Sequence, residues 1–455
     1  MSLRFGTDGV RGRVPEELDD RLAFALGHAV ADVFHAATPC VIGGDTREST
    51  PSLAAAFAAG FAEAGGDVLN LGIVPTPAVA FVSRERDCLG AVISASHNPW
   101  HDNGIKIFAP GGTKLSDDQQ DAVESRMRAL LGEPPAMKPS VSEAFGAGAP
   151  LLDEADLDSY VDALVAFGAG RMNRTVILDC ANGASSELAH TIFARVGISV
   201  RAMHVNPDGR NINEACGSTH PESLISAVRA EHDARTIGFA FDGDADRVLA
   251  IDECGDLVDG DGMIALLAVD LLRRGELTND AVALTVMSNL GVRVFLESHG
   301  ITIVETPVGD RSVAAAMETH GIVLGGEQSG HVILGQHATT GDGMLSALAV
   351  LRALDAADCT LHEFNSSIVR YPQILRNVRL PARGALDGAT AFWSEVETAE
   401  ASLGREGRVL VRASGTEPLM RIMVEAKDGP TAEAIVSHLE QCAREAIGAA
   451  PGPSL

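Results

Sequence analysis

Three segments of the chain repeat one order of apolar runs and polar turns. The first is CVIGGDTREST (40–50), the Ala-rich PSLAAAFAAGFAEAGG (51–66) and DVLNLGIVPTP (67–77). The second is TVILDCANGA (175–184), SSELAHTIFARVG (185–197) and ISVRAMHVNPD (198–208). The third is AVALTVMSNLG (281–291), VRVFLESHG (292–300) and ITIVETPVGD (301–310). Each predicts an apolar strand, a polar turn, a helix closed by Gly, and a second strand ended by Pro. Gly closes a helix at positive φ with little strain, and Pro cannot continue a sheet ladder. Both strands are almost continuously apolar, the pattern of strands covered on both faces. Three related α/β domains follow. Ligands of such sheets sit at the carboxyl ends of strands. The turns Asp45–Thr46–Arg47, Asp179–Asn182 and Ser288–Asn289 fall there. The same residue types also cap helices, an equally open reading for Asp179 and Ser288.

The rest of the chain is punctuated around these units. A helix over 116–131 opens with Ser116 and Gln119, a capping box, and stops at Gly132. GEPPAMKPSVSEAFGAGAP then reads as a linker or loose hairpin. Further boundaries are expected near Gly255 and near Tyr371–Pro372. The predicted domains are 1–150, 151–254, 255–369 and 370–455. The last does not repeat the unit. It reads strand (QILRNVRL), helix (about 388–403), strand (RVLVRA), strand (LMRIMVEA) and helix (from 430), a small α+β domain. The fold class is therefore α/β, three related mixed-sheet domains plus a smaller α+β domain.

Composition narrows the partners. The net charge is −27 with acids scattered along 455 residues, so a clustered basic face for nucleic acid is not expected. No apolar run reaches spanning length, so no membrane partner is expected. MSLRFGTDG has no h-region and no Ala-x-Ala site, which predicts no signal peptide. Seven dispersed cysteines without a C-x-x-C pair argue against a disulfide scaffold or structural zinc and fit a reducing cytoplasm.

Four stretches carry candidate chemistry. In GFAFDGDADRVLAID (238–252), Asp242, Asp244 and Asp246 alternate with small residues after an apolar strand. Such carboxylates repel unless a cation sits among them, and all-oxygen ligation suits Mg²⁺ or Ca²⁺. Glu253 stands twelfth from Asp242, as in an EF-hand. However, position six is Arg247 where that loop needs Gly, and the flanks read as strands. An acidic turn without metal is the bland alternative. In VRASGTEPLMRIM (411–423), Arg412, Ser414, Gly415, Thr416 and Arg421 bracket a tight turn and form a nest that fits a phosphate; a solvated polar hairpin is the alternative. In GGEQSGHVILG (325–335), Glu327 and Ser329 suit neighbouring sugar hydroxyls, and His331 is equally readable as a structural histidine. In FGTDGVRG (5–12), Arg11 is as readable as a surface residue as a ligand.

The stretch ISASHNPWHDNGIKIF (93–108) ends a strand in Ser96, His97 and Asn98, with Lys106 ten residues on, one of the chain's four lysines. With a three-carboxylate metal site elsewhere, Ser96 and Lys106 suit a serine that carries a phosphoryl group, with arginines holding what is not being transferred. A Ser-His-Asp hydrolase competes poorly, because Ser96 and His97 are sequence neighbours and no G-x-S-x-G elbow is present.

FGTDGVRG, DTR, SASHNPWHDNGIK, DCANGA, NPDGRNINEACGSTHPE, FDGDADR, VDGDG, TPVGDR, GGEQSGH, TTGDG and VRASGTEPLMR run in order through almost the whole chain. Together they resemble the α-D-phosphohexomutases. CGSTHPE, DNGIK and GGEQSGH are most similar to the members acting on glucosamine phosphates. The resemblance implies four domains around a central cleft and an isomerase interconverting glucosamine 6-phosphate and glucosamine 1-phosphate, which feeds amino-sugar and cell-wall precursor synthesis. It implies phosphorylated Ser96, one Mg²⁺ per site on Ser96, Asp242, Asp244 and Asp246, and glucosamine 1,6-bisphosphate as primer. Arg11, Lys106 and His331 would stand near the reacting oxygens. Glu327, Ser329, Arg247, Asp310, Arg412, Ser414, Gly415, Thr416 and Arg421 would bind substrate, and His97 and Asn98 would shape the serine loop. The expected partners are small sugar phosphates, for a monomer or homodimer. Ser312 departs from the family's usual Tyr after the Arg of TPVGDR. The alternatives are phosphomannomutase or phosphoglucomutase activity, or a metal-dependent sugar phosphatase.

Overall fold

The computed structural model describes residues 9–35, 38–132, 154–170, 172–382, 384–413 and 418–448. They fall into two compact units, one within Met1–Met287 and His299–Ser367, the other within Ser288–Ser298 and Ile368–Leu455.

The first unit contains three sheets, each built on one of the repeats. In the first, the order is Val10–Arg13, Asp102–Ala109, Leu89–Ile93, Cys40–Gly44, Val68–Ile73, with Thr113–Lys114 also paired to Asp102–Ala109. In the second it is Leu257–Val258, Val248–Ile251, Thr236–Phe241, Thr175–Asp179, Ser199–Met203. In the third it is Thr302–Thr306, Ala281–Thr285, Leu324–Gly326, Val332–Leu334. The two strands of every repeat pair in parallel, as a helical crossover requires. The glycines that follow the repeat helices, Gly65, Gly197 and Gly300, all adopt positive φ. Apolar helix faces cover the sheets; Leu22, Leu26, Leu53, Phe57 and Phe61 pack over Ile42, Ala91 and Ile93 in one core.

The expectation that both strands of a repeat are covered on both faces is corrected. The first strands Cys40–Gly44 and Ala281–Thr285 are wholly buried. Their partners Val68–Ile73, Ser199–Met203 and Thr302–Thr306 are sheet edges, mostly half-buried or exposed, with Ile73 54 % exposed. Val and Ile fit a pleated surface even where only part of it is covered, so an apolar run reports strand before it reports depth. The second repeat's helix also starts later than expected, at Leu188.

Each sheet adds antiparallel strands that carry the candidate chemistry. Leu89–Ile93 runs into Ser94–Ser96 and pairs with Asp102–Ala109, placing Lys106 opposite Val92. Thr236–Phe241 runs into Asp242 and returns as Val248–Ile251. Leu324–Gly326 runs into Glu327 and returns as Val332–Leu334 after His331. The helix Asp117–Gly132 has the expected capping box: the Gln119 N–H donates to Ser116 Oγ at 3.2 Å, and the Ser116 N–H donates to Gln119 Oε1 at 2.9 Å. The stretch 133–150 lies outside the described residues.

The second unit holds a three-stranded antiparallel sheet, Gln373–Arg379, Leu419–Ala426, Gly407–Ala413, covered by helices Thr390–Leu403 and Gly429–Ala446. This is the predicted element order. The helix Leu290–Ser298 belongs to this unit. Buried Glu425 accepts from the Leu290 N–H at 3.1 Å and from Arg408, and Arg408 donates to the Ser288 carbonyl at 2.6 Å. Among the described residues no helix is long and apolar enough to cross a membrane.

Candidate active site

Ser96 stands one turn past a central strand, fully buried, with φ of 54°. A left-handed serine is strained by roughly 1–3 kcal/mol and persists only where its surroundings hold it. Its N–H donates to Ser94 Oγ at 2.9 Å, and Ser94 Oγ donates to Asp45 Oδ2 at 2.6 Å. Its own hydroxyl donates to Asp242 Oδ2 at 2.5 Å, across 146 residues of sequence.

Asp242, Asp244 and Asp246 are all buried and bring ligand oxygens within 4.8 Å of one another. The loop that carries them is pinned from both neighbouring sheets. Thr76 donates its N–H to the Asp244 carbonyl at 3.0 Å and its hydroxyl to Asp244 Oδ2 at 2.6 Å, and the Gly343 N–H donates to the Ala245 carbonyl at 3.0 Å. Gly243 is needed here, because a Cβ would come within 2.6 Å of the Ser96 carbonyl. Lys106 Nζ, buried, donates to Asp244 Oδ2 at 2.7 Å and to Asp246 Oδ2 at 2.8 Å. Burial, with Asp246 and Asp244 beside it, pushes the Asp242 carboxyl up to about 8. Burial also opposes ionisation of Asp246, but Lys106, His331 and Arg247 outweigh it and hold that carboxyl well below the usual range.

The arrangement fits a hard divalent cation. The donors are all oxygens, and Asp244 Oδ1 and Asp246 Oδ1 are buried with no hydrogen-bond partner among the described residues. A buried carboxylate oxygen in that position is costly unless a cation faces it. The EF-hand alternative has no support, since Asp242 and Arg247 lie in the connection between the antiparallel strands Thr236–Phe241 and Val248–Ile251.

The cations around Ser96 also converge. Arg247 is mostly buried; its N–H donates to Asp242 Oδ1 at 3.2 Å, and its guanidinium lies 3.1 Å from His97 Nδ1. Arg11 lies on the strand Val10–Arg13 opposite Gly104. Burial, then Arg247 and Arg11, depress His97 to about 4, so its ring is neutral near pH 7. Asn98 donates to Asp102 Oδ2 at 3.0 Å and closes the serine loop.

His331 is 1 % exposed. The Gly341 N–H donates to its Nε2 at 3.0 Å, and its Nδ1 lies 3.8 Å from Asp246 Oδ1. Burial disfavours the imidazolium, while Asp246 and Asp310 raise the ring above its ordinary value. The backbone hydrogen bond requires an unprotonated Nε2, so the neutral ring with Nδ1–H toward Asp246 is the form this geometry supports. Asp310 is buried and accepts from Lys114. Glu327 is half-buried and accepts from the Gly309 N–H at 3.0 Å, which ties the GGEQSGH turn to the loop before Asp310. Ser329 is exposed, and Ser312 lies in the first turn of the helix Asp310–His320.

In the second unit, Arg412 and Arg421 face each other directly across neighbouring strands. Like charges in register are unfavourable unless an anion joins them. Arg421 Nε is buried and, among the described residues, has no hydrogen-bond acceptor. Ser414, Gly415 and Thr416 lie outside the described residues.

Arg47 stands in a turn at the carboxyl end of a strand, where ligands of such sheets sit. In the structure it is 1 % exposed and turns inward on main-chain carbonyls, because a planar five-donor group is the one side chain able to satisfy that many acceptors. Thr76 and Asn213 were missed as site-building residues. VPTP (74–77) reads only as a strand end, and nothing local shows which carboxylate Thr76 meets. Asn289 acts as the helix cap that its turn allows, accepting from the Gly291 N–H at 3.0 Å. Asp179 ties its own turn to the distant 211–217 loop, accepting from the N–H groups of Ala181 and Gly217 at 3.0 and 2.9 Å.

Comparison with known proteins agrees with this layout. Models of the phosphoglucomutase/phosphomannomutase family match in chain order: alpha/beta/alpha domain I over residues 2–131, domain II over 158–255, domain III over 259–371 and the C-terminal domain over 375–441. A phosphoglucosamine mutase of Symbiobacterium thermophilum is 45 % identical over 94 % of this chain and 96 % of its own. Another, of Frankia alni, is 44 % identical over 99 % of this chain and 100 % of its own. The crystal structure of Aspergillus fumigatus N-acetylphosphoglucosamine mutase in complex with GlcNAc-6P and magnesium shares the fold, with a TM-score of 0.69 at 17 % identity over 98 % of this chain and 96 % of that one. With its motifs, its sheets and these relatives in agreement, the chain belongs to the phosphoglucomutase/phosphomannomutase family.

Proposed function

We propose that this chain is an isomerase that interconverts glucosamine 6-phosphate and glucosamine 1-phosphate, with Ser96 as the phosphoryl carrier. The observation that carries the reading is the Ser96 hydroxyl 2.5 Å from Asp242 within a buried three-carboxylate cluster. The substrate class is supported by the names of the relatives at 44–45 % identity.

In the first half-reaction, O1 of glucosamine 6-phosphate attacks phospho-Ser96. The bond from phosphorus to Ser96 Oγ breaks, a bond to O1 forms, and the proton of the O1 hydroxyl leaves to a base. The product is glucosamine 1,6-bisphosphate, also the primer for an unphosphorylated enzyme. After the intermediate turns over, Ser96 Oγ attacks phosphorus of the 6-phosphate, the bond from that phosphorus to O6 breaks, and O6 recovers the proton the base took from O1. Glucosamine 1-phosphate is released. Mg²⁺ held by Asp242, Asp244, Asp246 and phospho-Ser96 would neutralise charge on the group in transit.

The chain's own groups do the rest. Asp242 Oδ2 accepts a hydrogen bond from the Ser96 hydroxyl in the unphosphorylated state. Lys106, Arg247 and Arg11 hold positive charge around the serine, where the phosphoryl oxygens gather electron density. Lys106 and His331 are the candidates for proton exchange with the sugar oxygens. Glu327 and Ser329 would accept and donate to sugar hydroxyls. Arg412, Ser414, Gly415, Thr416 and Arg421 would hold the phosphate that is not moving.

Peptide mass spectrometry after incubation with glucosamine 1,6-bisphosphate and Mg²⁺ tests the carrier. One phosphoryl group on Ser96, removed by glucosamine 6-phosphate, is expected. Steady release of inorganic phosphate without labelled Ser96 points to a phosphatase instead. A kcat/KM on mannose or glucose 6-phosphate equal to that on glucosamine 6-phosphate overturns the sugar assignment.

A further inference from the structure

Arg47 is a charged side chain with no solvent to receive it. Its side chain is fully buried, and each of its five N–H donors has an acceptor. Nε donates to Asp45 Oδ2 at 2.9 Å. One terminal nitrogen donates to the carbonyls of Pro99 and of Asp102, the latter at 2.9 Å. The other donates to the carbonyls of Ser96 and Asn98, both at 2.9 Å. Four of the five acceptors are therefore main-chain oxygens of one loop, 96–102.

A second residue, from the neighbouring sheet's loops, reaches two of the same oxygens. Asn213 Nδ2 donates to the Ser96 carbonyl at 2.9 Å and to the Asn98 carbonyl at 3.1 Å. Gly243 allows the Ser96 carbonyl to approach the metal-binding loop so closely. Asp45 completes the frame: it takes the Arg47 charge and, through Ser94, orients the Ser96 N–H.

We infer that Arg47 and Asn213 are positioning residues that clamp the Ser96 loop in its left-handed conformation and so hold Ser96 Oγ against Asp242. The inference rests on the reading of Ser96 as the phosphoryl carrier and extends it to residues that touch neither substrate nor metal. The physical argument is one of donor count. Lysine offers three donors on a point charge and cannot serve five acceptors lying in the plane of a guanidinium. In Arg47→Lys, the loop carbonyls lose donors, the Ser96 and Asn98 carbonyls keep only Asn213 of the two side chains that hold them, and the restraint on the strained serine weakens. A misplacement of about 1 Å at a reacting atom lowers turnover by about 10²-fold without weakening ground-state binding.

The test is the steady-state kinetics of Arg47→Lys and Asn213→Ala in the full-length Mg²⁺ enzyme, with hydrogen exchange by mass spectrometry on both. Expected are a fall in kcat of about 10²-fold for Arg47→Lys, an unchanged KM for glucosamine 6-phosphate, and faster exchange confined to the amides of 96–102. Asn213→Ala should show the same split with a smaller fall, so the inference stays testable if Arg47→Lys does not fold. Wild-type kcat in either variant overturns it. So does a loss of activity accompanied by faster exchange throughout the first unit, the mark of a general stability role. Wild-type Ser96 is assayed for phosphate in parallel, after incubation with glucosamine 1,6-bisphosphate and Mg²⁺. If it carries none, the carrier reading has failed; if it is labelled and Arg47→Lys turns over normally, only the clamp has.

Discussion

Lys106 is the ammonium among three buried carboxylates, so Lys106→Met removes charge while nearly keeping volume. Its contacts at 2.7 and 2.8 Å are each worth about 6 kcal/mol of Coulomb attraction at an effective dielectric of about 20. Desolvation of the ammonium cancels much of that, and removing one partner of a buried pair costs about 3–5 kcal/mol. The carboxylates left behind, within 4.8 Å of one another, repel by about 3 kcal/mol per ionised pair at that dielectric. Without metal, unfolding of the first unit should therefore become easier by about 3–5 kcal/mol. A divalent cation would occupy the same oxygens, so Mg²⁺ should stabilise the variant more than it stabilises the parent. Urea denaturation followed by far-UV circular dichroism, in EDTA and in saturating Mg²⁺, reads both quantities. Phosphoryl transfer should be lost in both conditions. Equal stability of variant and parent in EDTA, with an equal response to Mg²⁺, would refute the claim that Lys106 neutralises the cluster.

Other outcomes follow from single contacts. Gly243→Ala puts a methyl group 2.6 Å from the Ser96 carbonyl; it should lower kcat by about tenfold or more with Mg²⁺ binding by calorimetry retained, and normal kcat would show that the loop yields. Arg421→Ala should raise KM for the sugar phosphate with little change in kcat and should remove the strain of the opposed Arg412 pair; an unchanged KM takes Arg421 out of the phosphate nest. Asp342 caps the helix Gly343–Ala357 and accepts from Tyr160 at 2.9 Å, and burial pushes its carboxyl up to about 6. Between about pH 4 and pH 6 the folded state keeps a proton that the unfolded chain has lost, so stability falls as pH rises through that window, by about 3 kcal/mol in total. Asp342→Asn should flatten that slope in urea titrations, and an unchanged slope assigns it to another group.

Local signals reached far in this chain. The three strand–helix–strand repeats, the Gly stops at positive φ, the Ser116–Gln119 box and the order of the C-terminal elements were all legible. Each rests on contacts between residues a few positions apart, or on a periodicity that a window of the sequence contains. The clustering of Asp242, Asp244 and Asp246 was legible for the same reason, since three carboxylates alternating along one short loop stay close wherever the loop sits.

Depth and partnership were not legible. Val68–Ile73 and Cys40–Gly44 look alike as strings, yet one is an edge and the other a centre, because strand order is set by how helices cross over a sheet and not by the strand's own residues. Ser96 meets Asp242 across 146 positions, Lys106 meets Asp244 across 138, and Thr76 meets Asp244 across 168. Arg47 was visible as a cation in a turn at the carboxyl end of a strand. Only packing decided that its charge faces four carbonyls of the serine loop and no ligand. The residue types suited to a phosphoryl group and a cation can be read from the chain alone. Which of them meet is settled by packing, because burial fixes which polar groups must find partners inside the protein.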